Sequence, residues 1–260
     1  MISCNIEEKD SRTRFFPKVE VRADTISMAK NTWVFILAGQ SNMAGRGFVE
    51  PQDTVPNERI FTINRKGVIT LAKEPLHFYE PALTGLDCGL SFAKTLTQKI
   101  PDSISVLLLP TAVGGSSISQ WLGDSIYRNV QLLTNFKEKV AIGKKHGVIK
   151  GILWHQGESD ANPENITLYH KRLSKLVGAF RQIVADEKLP ILIGELGPYS
   201  TNANWSKINA QIKSYASTDA EVTVIHTSDL KDKGDKVHFD SESQRSIGKR
   251  FANEFIKIQK

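Results

Sequence analysis

Ser41, Asp235 and His238 are residue types fit for nucleophilic catalysis. They stand in Gly39-Gln40-Ser41-Asn42-Met43-Ala44-Gly45 and Asp235-Lys236-Val237-His238. A serine hydroxyl attacks well only when a base takes its proton. An imidazole can do so near neutral pH, and a carboxylate three residues earlier in a turn can hold one ring nitrogen while the other faces the serine. A Gly-flanked turn after an apolar run would hold the Ser41 hydroxyl outward, with backbone N–H groups beside it for an anion. The plainer reading of Ser41 is a helix N-cap. The segment lacks the Lys-Ser/Thr of a Walker loop and does not fit GxGxxG, and Met43 breaks GxSxG.

Three further segments could complete such a site. Gly114-Gly115 offers N–H groups with no side chain in the way, either an oxyanion hole or a plain turn. Gln156, in His155-Gln156-Gly157-Glu158-Ser159-Asp160, can donate an amide N–H to the same oxyanion. Glu158 has three readings: a hydrogen-bonding support, an alternative acid for His238, or a structural partner of Arg46. Gln40, Asn42 and Arg46 beside Ser41, and Trp121 after the glycine pair, are candidates for substrate contact. His77, His146 and His170 read as loop or helix-surface residues, and no three histidines fall at metal-ligand spacing.

The elements that must position these residues alternate. Apolar runs at 33–38 (WVFILA), 104–109 (ISVLLL), 149–154 (IKGILW), 191–195 (ILIGE) and 222–226 (VTVIH) read as strands buried on both faces. Helical periodicity occupies 86–100, 125–146, 163–188, 204–217 and 241–258. This rhythm predicts an α/β fold with one doubly wound parallel sheet and right-handed crossovers. The candidate residues follow strand ends, where ligands bind in such sheets. Residues 48–85 break the rhythm and read as a rim insertion with short strands and loops. Residues 1–30 read as an N-terminal arm, leader or edge strand, and 31–260 as a single domain.

The 260 residues, 40% hydrophobic and 24% charged, describe an ordinary globular chain, long enough to bury roughly 70% or more of its unfolded surface. The net charge of +6 is scattered over predicted helices without an Arg-aromatic stripe, which argues against nucleic acid as a partner. Cys4 and Cys88 stand alone, with no CxxC or HExxH, so neither a metal nor another cofactor is expected. No run of 18 apolar residues would span a membrane, and no intact signal peptide precedes the domain. Cys4 is either incidental or the remnant of a lipoprotein signal; a periplasmic or secreted location would follow from a missing leader.

Four strings, GQSNMAGRG, TAVGGSSISQW, WHQGESDA and DKVHFD, occur in this order. Together they resemble the SGNH-type hydrolases, in the branch of the sialate O-acetylesterase-like proteins and the acetylxylan esterases of carbohydrate esterase family 6. The resemblance runs from about Trp33 to the last helix. It implies a flavodoxin-like three-layer α/β/α sandwich with five parallel strands in the order 2-1-3-4-5. It also implies metal-free removal of acetyl groups from carbohydrates such as xylan or sialic acid. Carried over by position, Ser41 is the nucleophile, His238 the base and Asp235 the acid, with Glu158 the alternative acid. Ser41, Gly114 or Gly115, and Gln156 are the oxyanion donors. A carbohydrate-binding protein on an inactive scaffold, and a lipase or thioesterase for longer acyl chains, are the competing functions. The sequence is silent on the sugar and on oligomeric state.

Overall fold

The structure is a computed structural model that describes residues 11–23 and 31–259; Cys4 and residues 24–30 lie outside the described residues. At its centre is β1 (Thr32–Gly39), flanked on one side by β4 (Ser105–Pro110) and on the other by β7 (Val148–His155), then β8 (Ile191–Gly194) and β9 (Val222–Ile225). All these pairings are parallel, with Leu37 beside Pro110 and Gly39 beside His155. The five strands therefore run in the expected order 2-1-3-4-5. Two short strands extend the sheet to seven: β2 (Ile60–Ile63) pairs parallel with β4, and β3 (Ile69–Leu71) antiparallel with β2. Arg22 makes one antiparallel bridge to Thr70 outside them.

Side-chain alternation along β1 explains the layers. Val34, Ile36 and Ala38 enter one core with Trp121, Phe136, Trp154 and Phe180, beneath α3 (Ile118–Leu122), α4 (Leu132–His146), α5 (Pro163–Val184) and α6 (Asn204–Ala216). Phe35 and Leu37 face the other core, beneath α2 (Gly89–Thr97) and α7 (Ser241–Ile258). There Phe35 meets Phe92 and Phe255 edge to face, at 4.7 and 4.9 Å between ring centres. Such pairs add about 0.5–1.5 kcal/mol each beyond burial. Among the described residues, no helix is long and apolar enough to cross a membrane.

One expected helix begins late. Residues 125–131, read as the start of a helix, instead form a hairpin of β5 (Ile126–Tyr127) and β6 (Val130–Gln131), and α4 starts at Leu132. Arg128 and Asn129 both take left-handed φ, 48° and 63°, which closes a two-residue hairpin turn. Asp124 then receives the Thr134 N–H at 2.7 Å in the first turn of α4. His77, read as a surface residue, is buried with Nδ1 2.8 Å from the Asp87 carboxylate.

Candidate active site

Ser41 begins a single helical turn, α1 (Ser41–Ala44), directly beyond β1. The turn depends on Gly39. Its φ of 136° is a conformation that L side chains rarely adopt, and a Cβ there would overlap the carbonyl of His155 on the neighbouring strand. This close approach sets Ser41 at the carboxyl edge of the sheet, 7% exposed.

His238 arrives from the far end of the chain, on the loop between β9 and α7. The loop is closed by a bridge between Asp232 and Phe239 and by the Lys233 N–H donating to the His238 carbonyl at 2.9 Å. Phe239, fully buried, packs edge-on against His155 and Tyr199 and anchors the loop. His238 Nε2 lies 3.0 Å from Ser41 Oγ, and its Nδ1 lies 2.8 Å from Asp235 Oδ2. Asp235 Oδ1 accepts the N–H groups of Val237 and His238 at 2.9 and 2.8 Å. Desolvation pushes the Asp235 carboxyl up. The N–H and imidazole bonds from His238 and the N–H of Val237 outweigh it and hold the group at about 2. Burial pulls His238 below its usual value; the bond and charge of Asp235 oppose this, while Arg46 and Lys233 add to it. The neutral imidazole is therefore favoured at pH 7, able to accept a proton at Nε2.

The structure separates the two candidate acids. Asp235 holds His238 directly, whereas Glu158 reaches Asn42, whose Nδ2 donates to Glu158 Oε1 at 2.6 Å. Glu158 does not pair with Arg46 either. Arg46 is buried against Glu80 at 2.8 Å, and Glu80 also binds Arg128 of the hairpin tip.

The expected oxyanion donors are also sorted by their partners. The Gly114 N–H donates to Glu80 Oε2 at 2.6 Å, and a Cβ on Gly114 would overlap the Arg46 guanidinium. Burial pushes the Glu80 carboxyl up, yet Arg46, the Gly114 N–H and Arg128 keep it below the usual carboxylate range. Gln156 is wholly buried, and its Nε2 is directed at Asp160 Oδ2 at 2.6 Å, with Gln40 Oε1 and the Ser116 carbonyl both at 3.2 Å. An amide has two hydrogens, so Gln156 has none left over for a bound anion here. These bonds brace its loop. The N–H groups of Ser41 and Gly115 carry no backbone partner among the described residues. Gly115, at φ 83°, lies in the loop tied to β1 through the Val113 N–H and the Gly39 carbonyl at 3.2 Å.

The remaining candidates for substrate contact are built into the protein. Gln40 Oε1 accepts from Gln156 and from the Ser159 N–H. Both ends of the Asn42 amide are occupied. Trp121 is fully buried against Trp154, its Nε1 donating to Ser116 Oγ at 2.9 Å. Sequence reasoning missed Glu80, and missed that Asp160 accepts from Gln156. Arg46 signals the need for a carboxylate partner, but nothing local in the sequence points to Glu80; Asp160 sits four residues after Gln156, close enough to be suspected.

Residues 31–257 match the model of the family described as carbohydrate esterase, sialic acid-specific acetylesterase. A protein of Arabidopsis thaliana described as a probable carbohydrate esterase is 28% identical over 245 residues, spanning 86% of this chain and 90% of that relative. The crystal structure of an Arabidopsis thaliana protein superimposes with a TM-score of 0.77 at 26% identity, covering 88% of this chain and 98% of the other. The crystal structure of NanS superimposes with a TM-score of 0.71 at 18% identity, covering 90% and 99%, a likeness of fold.

Proposed function

Because the chain belongs to the carbohydrate esterase, sialic acid-specific acetylesterase family, we propose that it is a serine esterase that removes O-acetyl groups from a saccharide through an acetyl-enzyme on Ser41. The observation that carries this reading is the unbroken hydrogen-bonded row from Ser41 Oγ through the His238 imidazole to Asp235. Ser41 Oγ attacks the acetyl carbonyl carbon as Nε2 of His238 takes its proton, and Asp235 stabilises the imidazolium that forms. The N–H groups of Ser41 and Gly115 receive the developing oxyanion. The intermediate collapses, the sugar oxygen leaves with the proton from Nε2, and water attacks the acetyl-enzyme with the same base.

The substrate is an acetylated saccharide such as acetylated xylan or sialic acid. A cleft of about 460 Å³, lined by Pro198, Ser200, Asn202 and Trp205 among others, lies beside β8 and β9, and its lining includes none of Ser41, Asp235 and His238. Acetate release from acetylated xylan oligosaccharides, acetylated sialic acids and acetylated hexoses tests the function. Release from at least one of them is expected, and nitrophenyl butyrate should be cleaved far more slowly than the acetate. Sugar binding without acetate release would make the protein a binding module, and equal rates on longer chains a lipase or thioesterase.

The pH dependence carries a sign. Below its pKa, His238 is protonated and cannot take the serine proton, so kcat/KM rises with pH through that value. Burial places the midpoint below the ordinary 6.5, so most of the rise should lie below pH 7. Asp235, held at about 2, stays ionised throughout. A midpoint above 6.5 would contradict a buried His238 as the base.

A further inference from the structure

Asn42 follows Ser41 in the chain, and its carboxamide is paired with the backbone on both sides of His238. Nδ2 donates to the Val237 carbonyl at 3.1 Å, and Oδ1 accepts the Phe239 N–H at 3.1 Å. Only one orientation of the amide satisfies both bonds; turned over, it would set donor against donor and acceptor against acceptor. The second Nδ2 hydrogen goes to Glu158 Oε1 at 2.6 Å, a short bond to a carboxylate. Asn42 is 2% exposed and the Glu158 side chain 6%, so water does not easily replace these partners. Gln244 Nε2 adds a bond to the Asn42 carbonyl at 2.9 Å, tying the same residue to α7.

Apart from the Asn42 bonds, the His238–Ser41 bond itself and the packing of Phe239, the bonds described above for the 232–239 loop are internal to it and fix its shape. The Asn42 amide joins that loop to the turn bearing Ser41, although the two segments lie 197 positions apart in sequence. We infer that Glu158 is a positioning residue: by holding the Asn42 carboxamide in one orientation, it sets the His238 loop at the distance from Ser41 that proton transfer requires. Its contribution is a hydrogen-bond acceptor, while the anion on the imidazole is Asp235. The catalytic part of this inference rests on the serine-esterase reading; the positioning of the loop does not.

The test compares Glu158→Gln, Glu158→Ala and Asn42→Ala in the full chain. Glutamine keeps an acceptor for Asn42 Nδ2, whereas alanine removes it. The first readout is the titration of the His238 ring followed by NMR, which needs no substrate. The titratable groups acting on that ring are Asp235, Arg46 and Lys233, and burial depresses it most. With the clamp removed, the loop moves toward solvent and the midpoint rises toward 6.5 in both alanine variants, but not in Glu158→Gln. The second readout is turnover of a nitrophenyl acetate. A displacement of about 1 Å costs on the order of 10²-fold. The alanine variants should therefore lose roughly 10- to 100-fold in kcat with KM within about 3-fold, and Glu158→Gln should stay within about 3-fold of the wild type.

Two results would overturn the inference: Glu158→Gln falling as far as Glu158→Ala, which would make charge the contribution, or Glu158→Ala leaving the His238 titration and kcat unchanged. Should the alanine variants fail to fold, near-normal turnover and an unshifted His238 in the isosteric Glu158→Gln still decide between acceptor and charge. Wild-type protein that releases no acetate, with the His238 titration responding as described, would end the esterase reading and leave the positioning role standing.

Discussion

Ser41→Ala is expected to lower kcat for acetyl-ester hydrolysis by roughly 10³-fold or more while the protein stays folded. The hydroxyl is the group that His238 Nε2 faces at 3.0 Å, so its removal deletes the nucleophile and leaves the base with nothing to deprotonate. The residual rate would come from binding and the oxyanion donors, which do not depend on the hydroxyl. The change is mild for the fold. One oxygen is lost at the start of a helical turn whose N-cap is Gln40, and the Gly39 conformation is untouched. Initial rates on a nitrophenyl acetate, read beside thermal melting of both proteins, check this. A variant with a wild-type melt and undiminished turnover would remove Ser41 from the mechanism.

Asp235→Asn should be nearly as damaging, at roughly 10³- to 10⁴-fold in kcat. The reason is the tautomer. The carboxylate is an acceptor for Nδ1–H, which leaves Nε2 bare toward the serine. An asparagine can keep its oxygen on the Val237 and His238 N–H groups and turn its NH₂ toward Nδ1. The ring would then carry its proton on Nε2, pointing at Ser41 and unable to take another. Loss of the anion also removes the main influence that raises the His238 pKa, so the acidic limb of the rate profile should move to lower pH as the plateau falls. Kinetics of Asp235→Asn and Glu158→Gln across pH 4 to 8 test the ranking. Near-normal rates for Asp235→Asn with a collapse in Glu158→Gln would assign the acid role to Glu158.

The layered sheet was largely legible in the residue string because each core strand is a continuous apolar run. The segments at 33–38, 149–154 and 222–226 fall within one or two residues of β1, β7 and β9. The hairpin at residues 126–131 was not legible. Its signal is two left-handed residues, Arg128 and Asn129, and of these only Asn129 is a type that commonly takes such a φ. The addition of β2 and β3 to the same sheet was also hidden, since strands of four and three residues carry too little periodicity to announce a partner.

The same division runs through the site. Asp235 and His238 are three residues apart, and the turn that joins them makes their bond almost independent of the rest of the molecule. The sequence unaided offered that pair, a Gly-flanked turn at Ser41 and the order of the candidate segments along strand ends, and left the acid open between Asp235 and Glu158. Only the tertiary structure decided that Glu80, 34 positions from both Arg46 and Gly114, takes up the Gly114 N–H. It also directed the Gln156 amide to Asp160 and joined Glu158 to Asn42 across 116 positions. The physical reason is reach. A local pair is fixed by a few backbone angles, whereas a buried carboxylate or amide bonds to whichever partner the packed strands and loops bring within 3 Å, and that choice belongs to the whole fold.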